Sequence, residues 1–151
     1  MSREEIDPGQ SRLQAVAFDV IPRRKHIHLF RLGKHWAFKH FFDDKEAFRD
    51  LADFYNEDKY RFEFKTFGER NKALKVLERA GFDYELVEDL HGYVVKMDRF
   101  SKYAPVLKNS VAYMETPKAR IFLLKDRSAV EEAQRMGAEL YAGDYGSLVF
   151  R

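Results

Sequence analysis

Apolar and polar residues alternate along two neighbouring stretches of the chain, His26 to Leu32 and His35 to Phe42. Alternation with a period of two is typical of β-strands that bury one face. Gly33 and Lys34 separate the two stretches and suit a two-residue hairpin turn. The pattern therefore predicts a β-hairpin in which Leu32 lies opposite His35.

Apolar spacing and turn residues predict the other elements. Further strands are expected at Leu13–Ile21, Tyr60–Lys65, Phe82–Val87, Tyr93–Met97, Ala119–Lys125, Ala138–Tyr141 and Ser147–Phe150. Helices are expected from Asp43 or Asp44 to about Tyr55, from the capping pair Thr66 and Glu69 to Gly81, from Asp98 to about Asn109 with Pro105 shortening it, and from Asp126 to Gly137.

This order of elements predicts an α+β fold. We expect residues 1–12 to form a disordered lead and residues 13–151 to form a single domain. The domain should contain a mixed or mainly antiparallel sheet with three to four helices packed on one face. Tyr60–Met97 and Ala119–Phe150 share the order strand, helix, strand, strand, which raises the alternative of an internal βαββ repeat.

Composition restricts the possible chemistry. The chain has no cysteine, which excludes disulfides, thiolate metal sites and a cysteine nucleophile, and favours a cytoplasmic location. No apolar run reaches the length of a membrane helix, so no membrane partner is expected. High Lys, Arg and Glu content is compatible with a thermophilic source.

Charge is unevenly distributed, although the net charge is only +2. The segment from Val20 to Phe42 contains no acid, and its basic residues are Arg23, Arg24, Lys25, Arg31, Lys34 and Lys39. Segregated charge of this kind indicates an oriented electrostatic surface. The hairpin lies within this basic segment.

Side-chain alternation divides the hairpin into two faces. The face expected to join the core contains Ile27, Leu29, Trp36 and Phe38, with Arg31 and His40. The face expected to be exposed contains His26, His28, Phe30, Lys39 and Phe41. A change of one residue in the loop would exchange the faces, and a second layer over Phe30 and Phe41 is the structural alternative.

A face that combines cations with aromatic rings suits single-stranded nucleic acid. Cations hold phosphates and rings stack on bases, without strong sequence preference. We therefore predict binding of single-stranded DNA or RNA, with no cofactor. The candidate binding residues are Arg23, Arg24, Lys25, His26, His28, Phe30, Lys34, Lys39, Phe41, Arg61 and Lys65.

Three other functions are compatible with parts of the sequence. Exposed Phe residues could instead form an interface in a homo-oligomer or with another protein. His26 and His28 could bind zinc, but no carboxylate nearby in the sequence completes a ligand set, so no metal site is expected. Acid pairs could indicate a metal-dependent nuclease, yet the Asp43-Asp44 pair is better explained as a helix start. No catalytic or nucleotide-binding motif occurs, so the protein is expected not to be an enzyme.

A further segment, from Asp98 to Tyr103, could present Arg99, Lys102 and Tyr103 to a ligand, although a solvated helix face is the simpler reading.

The run from Phe38 to Phe48, followed by Gly68-Glu-Arg-Asn71, resembles the archaeal ThermoDBP group and its related proteins. The resemblance spans roughly Leu13 to Tyr141. It implies an α/β domain that binds single-stranded DNA or RNA through a basic, aromatic cleft, and assembly into dimers or higher oligomers. This chain lacks the C-terminal leucine-zipper heptads of the founding member, so assembly through a zipper is not implied.

Overall fold

The structure, a computed structural model, describes residues 25–150. Its strands are β1 Lys25–Leu32, β2 His35–Phe38, β3 Tyr55–Asn56, β4 Arg61–Phe64, β5 Phe82–Val87, β6 Val94–Asp98, β7 Ser110–Glu115, β8 Ala119–Leu124 and β9 Glu139–Leu140. Its α-helices are α1 Lys45–Leu51, α2 Phe67–Arg79, α3 Ala104–Lys108 and α4 Arg127–Arg135, with short 3₁₀ turns at Ala52–Phe54 and Tyr145–Ser147. Within the described part of the chain, none of the helices has the length and apolarity needed to cross a membrane.

The strands form two sheets. The first sheet has the order β3-β4-β2-β1-β5, and the second has the order β9-β6-β8-β7. Neighbouring strands are antiparallel except β1 and β5, which are parallel. Helix α2 connects β4 to β5 within the first sheet, and α4 connects β8 to β9 within the second.

The two sheets pack face to face between two helical layers. Leu29 and Phe38 of the first sheet pack with Leu77 of α2 on its outer side. Its inner side meets the second sheet in a core that includes Phe30 and Leu123. The outer side of the second sheet packs against α3 and α4 through a third cluster. The order of layers is therefore helices, sheet, sheet, helices.

The α+β fold class is confirmed, and the expected single sheet is corrected to two. Helices cover one face of each sheet, but the remaining face of the first sheet is covered by the second sheet. Sequence reasoning missed two strands, the short β3 in the first sheet and the longer β7 in the second. Because β7 was not foreseen, the second sheet had too few strands to be recognised as a separate layer.

The hairpin has the expected register, but its second strand ends at Phe38 and not at Phe42 as expected, so Lys39 and Phe41 lie beyond the ladder. Leu32 lies opposite His35 and Phe30 lies opposite Ala37. Gly33 has a φ of 64°, a left-handed conformation that glycine adopts without steric cost.

The helix boundaries follow the expected capping residues. Asp44 accepts a hydrogen bond from the Glu46 amide, Thr66 accepts one from Glu69, and Asp126 accepts one from Ala129. These bonds satisfy amides that have no partner within the first helical turn.

Other boundaries differ from expectation. The helix expected to reach Tyr55 gives way at Ala52 to a 3₁₀ turn and β3. The helix expected over Asp98–Asn109 is reduced to Ala104–Lys108, with Pro105 in its first turn. The final hairpin is wrong, because β9 pairs with β6 and a 3₁₀ turn occupies Tyr145–Ser147.

Two expectations fall wholly outside the described residues. They are the lead over residues 1–12 and the strand Leu13–Ile21. The internal repeat stays a prediction: both segments contain a strand, a helix and a parallel strand, but only the first continues into a further strand.

Candidate nucleic-acid interface

The hairpin buries both of its faces over most of its length. Ile27, Leu29, Trp36 and Phe38 join the core beneath α1 and α2, as expected. The opposite face was expected to be exposed, but Phe30 is 0% exposed because the second sheet covers it. The expectation that the Phe30 ring is available to stack on a base is therefore wrong.

The basic residues expected to form one track are separated. Lys25 is exposed and pairs with Asp43 at 3.3 Å. Lys34 is exposed in the hairpin turn, and Lys65 is exposed just after β4. Arg23 and Arg24 lie outside the described residues.

Lys39 and Phe41 remain together, and they line a cleft between the end of the hairpin and the segment formed by α3 and β7. The cleft has a volume of about 700 Å³. Its ring-bearing residues are Phe41, Tyr60, Tyr103 and Tyr113, and its lysines are Lys39, Lys59 and Lys108. We call this surface the aromatic cleft.

A fourth lysine adds charge at the edge of the aromatic cleft. The Nζ atom of Lys125 lies 5.3 Å from the centre of the Phe41 ring, a cation–π distance. Asp58 is the only acid that lines the cleft among the described residues. The cleft therefore combines exposed ring surface with an excess of positive charge.

Lys39 lies at the base of the aromatic cleft. Its side chain is buried, and its Nζ atom donates a hydrogen bond of 3.0 Å to the carbonyl oxygen of Ser110 in β7. Burial, followed by the charges of Lys125 and Arg61, lowers the pKa of Lys39 to about 8. The ammonium group of Lys39 is thus weakly solvated, and contact with an anionic partner would stabilise its charged form.

Arg61 is buried and fully engaged with protein groups. Its Nε atom donates to Glu63 at 2.7 Å, and its NH1 atom donates to the carbonyl oxygen of Val111 at 2.7 Å. Partial burial opposes ionisation of Glu63, yet the hydrogen bond and charge of Arg61 hold the pKa of that carboxyl below its usual value. The expectation that Arg61 faces a ligand is wrong, because it ties the first sheet to β7.

Tyr60 belongs to the aromatic cleft but was expected in a half-buried strand face with Phe62 and Phe64. Those two residues are buried, whereas Tyr60 is 64% exposed and has a φ of 55°. A left-handed conformation is uncommon for a tyrosine. It turns the side chain away from the sheet just before β4 begins.

Sequence reasoning also missed Lys59, Lys108 and Tyr113, because their positions in the cleft depend on the packing of β7 against the first sheet. Tyr103 was expected on a helix with Arg99 and Lys102, but that helix begins only at Ala104. One feature of the sequence could have indicated this part of the cleft: Lys59 and Tyr60 place a cation next to an aromatic ring just before β4.

His26 and His28 do not line the aromatic cleft, and both lie beside Glu85 of β5. The Nε2 atoms of His26 and His28 are 3.6 and 3.9 Å from the same Glu85 oxygen. Burial is the main cause that lowers the pKa of His28 below its usual value. The structure thus brings to these histidines the carboxylate that the neighbouring sequence lacks.

Comparisons with family models, with curated proteins and with solved structures find no match for this chain.

Proposed function

We propose that this protein binds single-stranded DNA or RNA in the aromatic cleft, with little sequence preference and without a cofactor. The observation that carries the proposal is the placement of exposed Phe41 and Tyr60 rings beside a buried lysine and three further lysines. The resemblance to the ThermoDBP group implies the same class of ligand.

The chemistry of the cleft suits a chain of bases and phosphates. Bases present flat apolar faces, and stacking on an aromatic side chain contributes about 1–3 kcal/mol per base. Lys59 and Lys108 are exposed and free to follow a phosphate backbone, while Lys39 offers a single ammonium group at the base of the cleft. A volume of about 700 Å³ accommodates a small number of ring-bearing units.

The proposal moves the interface from the hairpin face to the aromatic cleft. Of the residues expected from sequence, Lys39 and Phe41 keep a direct role. Lys34 and Lys65 are exposed but do not line the cleft, so they serve as matched controls for Lys59 and Lys108.

The test is fluorescence anisotropy with a labelled oligonucleotide. Tyr60→Ala should weaken binding by about 5- to 150-fold, the range that corresponds to one stacked base. Phe67→Ala is the matched control, because Phe67 is also 64% exposed and does not line the cleft. Equal effects of the two substitutions, or no binding by the wild type, would contradict the proposal.

The same titration at several salt concentrations tests the role of the lysines. Each phosphate contact with a single strand contributes a slope of roughly −0.7 to the dependence of log affinity on log salt. Removing both Lys59 and Lys108 should make the slope shallower, whereas removing both Lys34 and Lys65 should leave it unchanged. The reverse result would assign the interface to the hairpin.

We propose binding without catalysis. Hydrolysis of a phosphodiester with metal assistance is usually organised by several carboxylates, and Asp58 alone lines the aromatic cleft among the described residues. A labelled oligonucleotide incubated with the protein and Mg²⁺ or Mn²⁺ should stay intact, and shortened products would favour the nuclease alternative.

A second candidate function is self-association. Phe100 follows β6 with 91% of its side chain exposed, the largest exposed fraction among the large hydrophobic residues of the described part of the chain. Burial of this ring against a second copy of the chain would remove its apolar surface from water. Light scattering coupled to gel filtration should show a homo-oligomer that Phe100→Ser dissociates. A wild-type monomer across the accessible concentration range would remove this candidate.

A further inference from the structure

Three potential metal ligands meet at the edge of the first sheet. His26 and His28 are two residues apart on β1, so their side chains share one face of the strand. Glu85 lies directly opposite His28 on the parallel neighbour β5 and projects on that same face. Strand geometry alone therefore gathers two imidazoles and a carboxylate.

The distances within this group suit one cation. Each residue offers one ligand atom, and all three atoms lie within 4.8 Å of one another. A tetrahedral ion with bonds of about 2.1 Å separates its ligands by about 3.4 Å. The two distances from the Glu85 oxygen, 3.6 and 3.9 Å, are close to this separation, so small side-chain rotations would complete the set.

His28 is held in place before any ion binds. Its ring packs against Tyr93, with 5.5 Å between ring centres, and against Phe30 at 6.2 Å. Its side chain is only 12% exposed, and its Nδ1 atom is buried without a hydrogen-bond partner. The Nε2 atom, which faces Glu85, is thus the polar end of a fixed imidazole.

We propose that His26, His28 and Glu85 bind a divalent transition-metal ion of the zinc class. Two imidazole nitrogens and one carboxylate favour such ions over Mg²⁺ and Ca²⁺, which prefer ligand sets made of oxygen. His26 and Glu85 are about half exposed, so the ion can enter from solvent. With three protein ligands, a coordination position remains for water or an exogenous ligand.

This site is separate from the aromatic cleft, because none of its three ligands lines the cleft. Metal binding and nucleic-acid binding can therefore fail independently. A variant that no longer binds metal can still be tested for binding to an oligonucleotide, and the reverse also holds.

The test is isothermal titration of the untagged, chelator-treated protein with ZnCl₂. We expect one equivalent to bind, and we expect Glu85→Gln and His26→Ala each to weaken binding by at least about tenfold. Glu88→Gln and His91→Ala are matched controls outside the group, each losing the same chemical group from an exposed position. Both controls should retain wild-type affinity.

A second measurement covers the case in which a variant unfolds. Co²⁺ added to the wild type should give a visible absorption band, which Zn²⁺ displaces and which is lost in Glu85→Gln. Circular dichroism identifies any variant that has lost its fold. The exposed positions His26 and Glu85 can be substituted without opening the core, so His28→Ala is not required.

Two outcomes would overturn the proposal. One is no stoichiometric binding of Zn²⁺ or Co²⁺ by the wild type, which would leave the group as a histidine–carboxylate ion pair only. The other is equal binding by wild type and by the double variant of His26→Ala and Glu85→Gln.

Discussion

Two buried cations cross from the first sheet to β7, and they differ in their partners. Arg61 and Lys39 donate hydrogen bonds to the adjacent carbonyl oxygens of Val111 and Ser110, at 2.7 and 3.0 Å. Arg61 also pairs with Glu63, at 2.7 Å. Among the described residues, no carboxylate forms an ion pair with Lys39, and its pKa falls to about 8.

The pairing of Arg61 suits a structural role, whereas the lack of a counter-ion in the described part of the chain suits Lys39 to contact with a ligand. A buried charge that is paired and hydrogen-bonded holds its surroundings together, and removing it leaves its partner uncompensated. A buried charge without a counter-ion is costly to keep, and an anion that reaches it lowers that cost. Lys39 lines the aromatic cleft, whereas Arg61 does not.

The largest expected effect comes from Arg61→Met. It should lower the free energy of unfolding by about 3–5 kcal/mol, because Glu63 and the Val111 carbonyl lose their shared partner. Urea denaturation measures the change. Arg31→Met is the control, since Arg31 pairs with Glu88 at 2.9 Å but is exposed, and such pairs contribute at most about 1 kcal/mol. Similar losses in the free energy of unfolding of both variants would show that the buried ion pair of Arg61 contributes no more than the exposed ion pair of Arg31.

Lys39→Met should change how stability depends on pH. Between pH 8 and 10.5 the unfolded chain keeps a proton that folded Lys39 has released, so wild-type stability should rise relative to the variant as pH increases. The relative gain should approach about 1.4 kcal/mol per pH unit within that window. If the free energy of unfolding of the wild type and of Lys39→Met changed in parallel with pH, the pKa of Lys39 would be the same in the folded and unfolded chain.

A smaller effect is expected on ligand binding, and it rests on the proposed function. Anion binding favours protonated Lys39, so affinity for an oligonucleotide should be constant below pH 8 and fall above it, by at most about tenfold per unit. Lys39→Arg, which stays charged, should flatten this dependence. An unchanged pH profile in Lys39→Arg would place Lys39 outside the interface.

Local features of the fold were predictable from sequence. The register of the hairpin followed from alternation and from Gly33, and the helix starts followed from Asp44, Thr66 and Asp126. These features depend on residues within a few positions of one another. The division of the hairpin strands into two faces was also correct, but the face that contains Phe30 was expected to be exposed and is covered by the second sheet.

The covering layer could not be predicted, because β7 does not alternate. Its pairing with β8 shifts register between Ser110 and Ala112, and Ser110, Val111 and Ala112 are all buried in succession. A bulge of this kind removes the period of two by which strands are recognised. Without β7, neither the burial of Phe30 nor the aromatic cleft can be inferred.

The group around Glu85 was hidden for a different reason. Glu85 is far from His26 and His28 in sequence, and it reaches them only through the parallel pairing of β5 with β1. Parallel strands require a crossover connection, here through α2, and the sequence does not state which strand the crossover returns to.

Tyr60 shows that the molecule gives up some stability at the entrance to the cleft. Glycine would adopt this left-handed backbone without steric cost, whereas tyrosine carries a steric penalty that its exposed ring recovers little of by packing. Tyr60→Gly should thus leave the fold as stable as the wild type or more so, as thermal unfolding would measure. Under the proposed function, the ring that this substitution removes is the part of the residue that a base would contact.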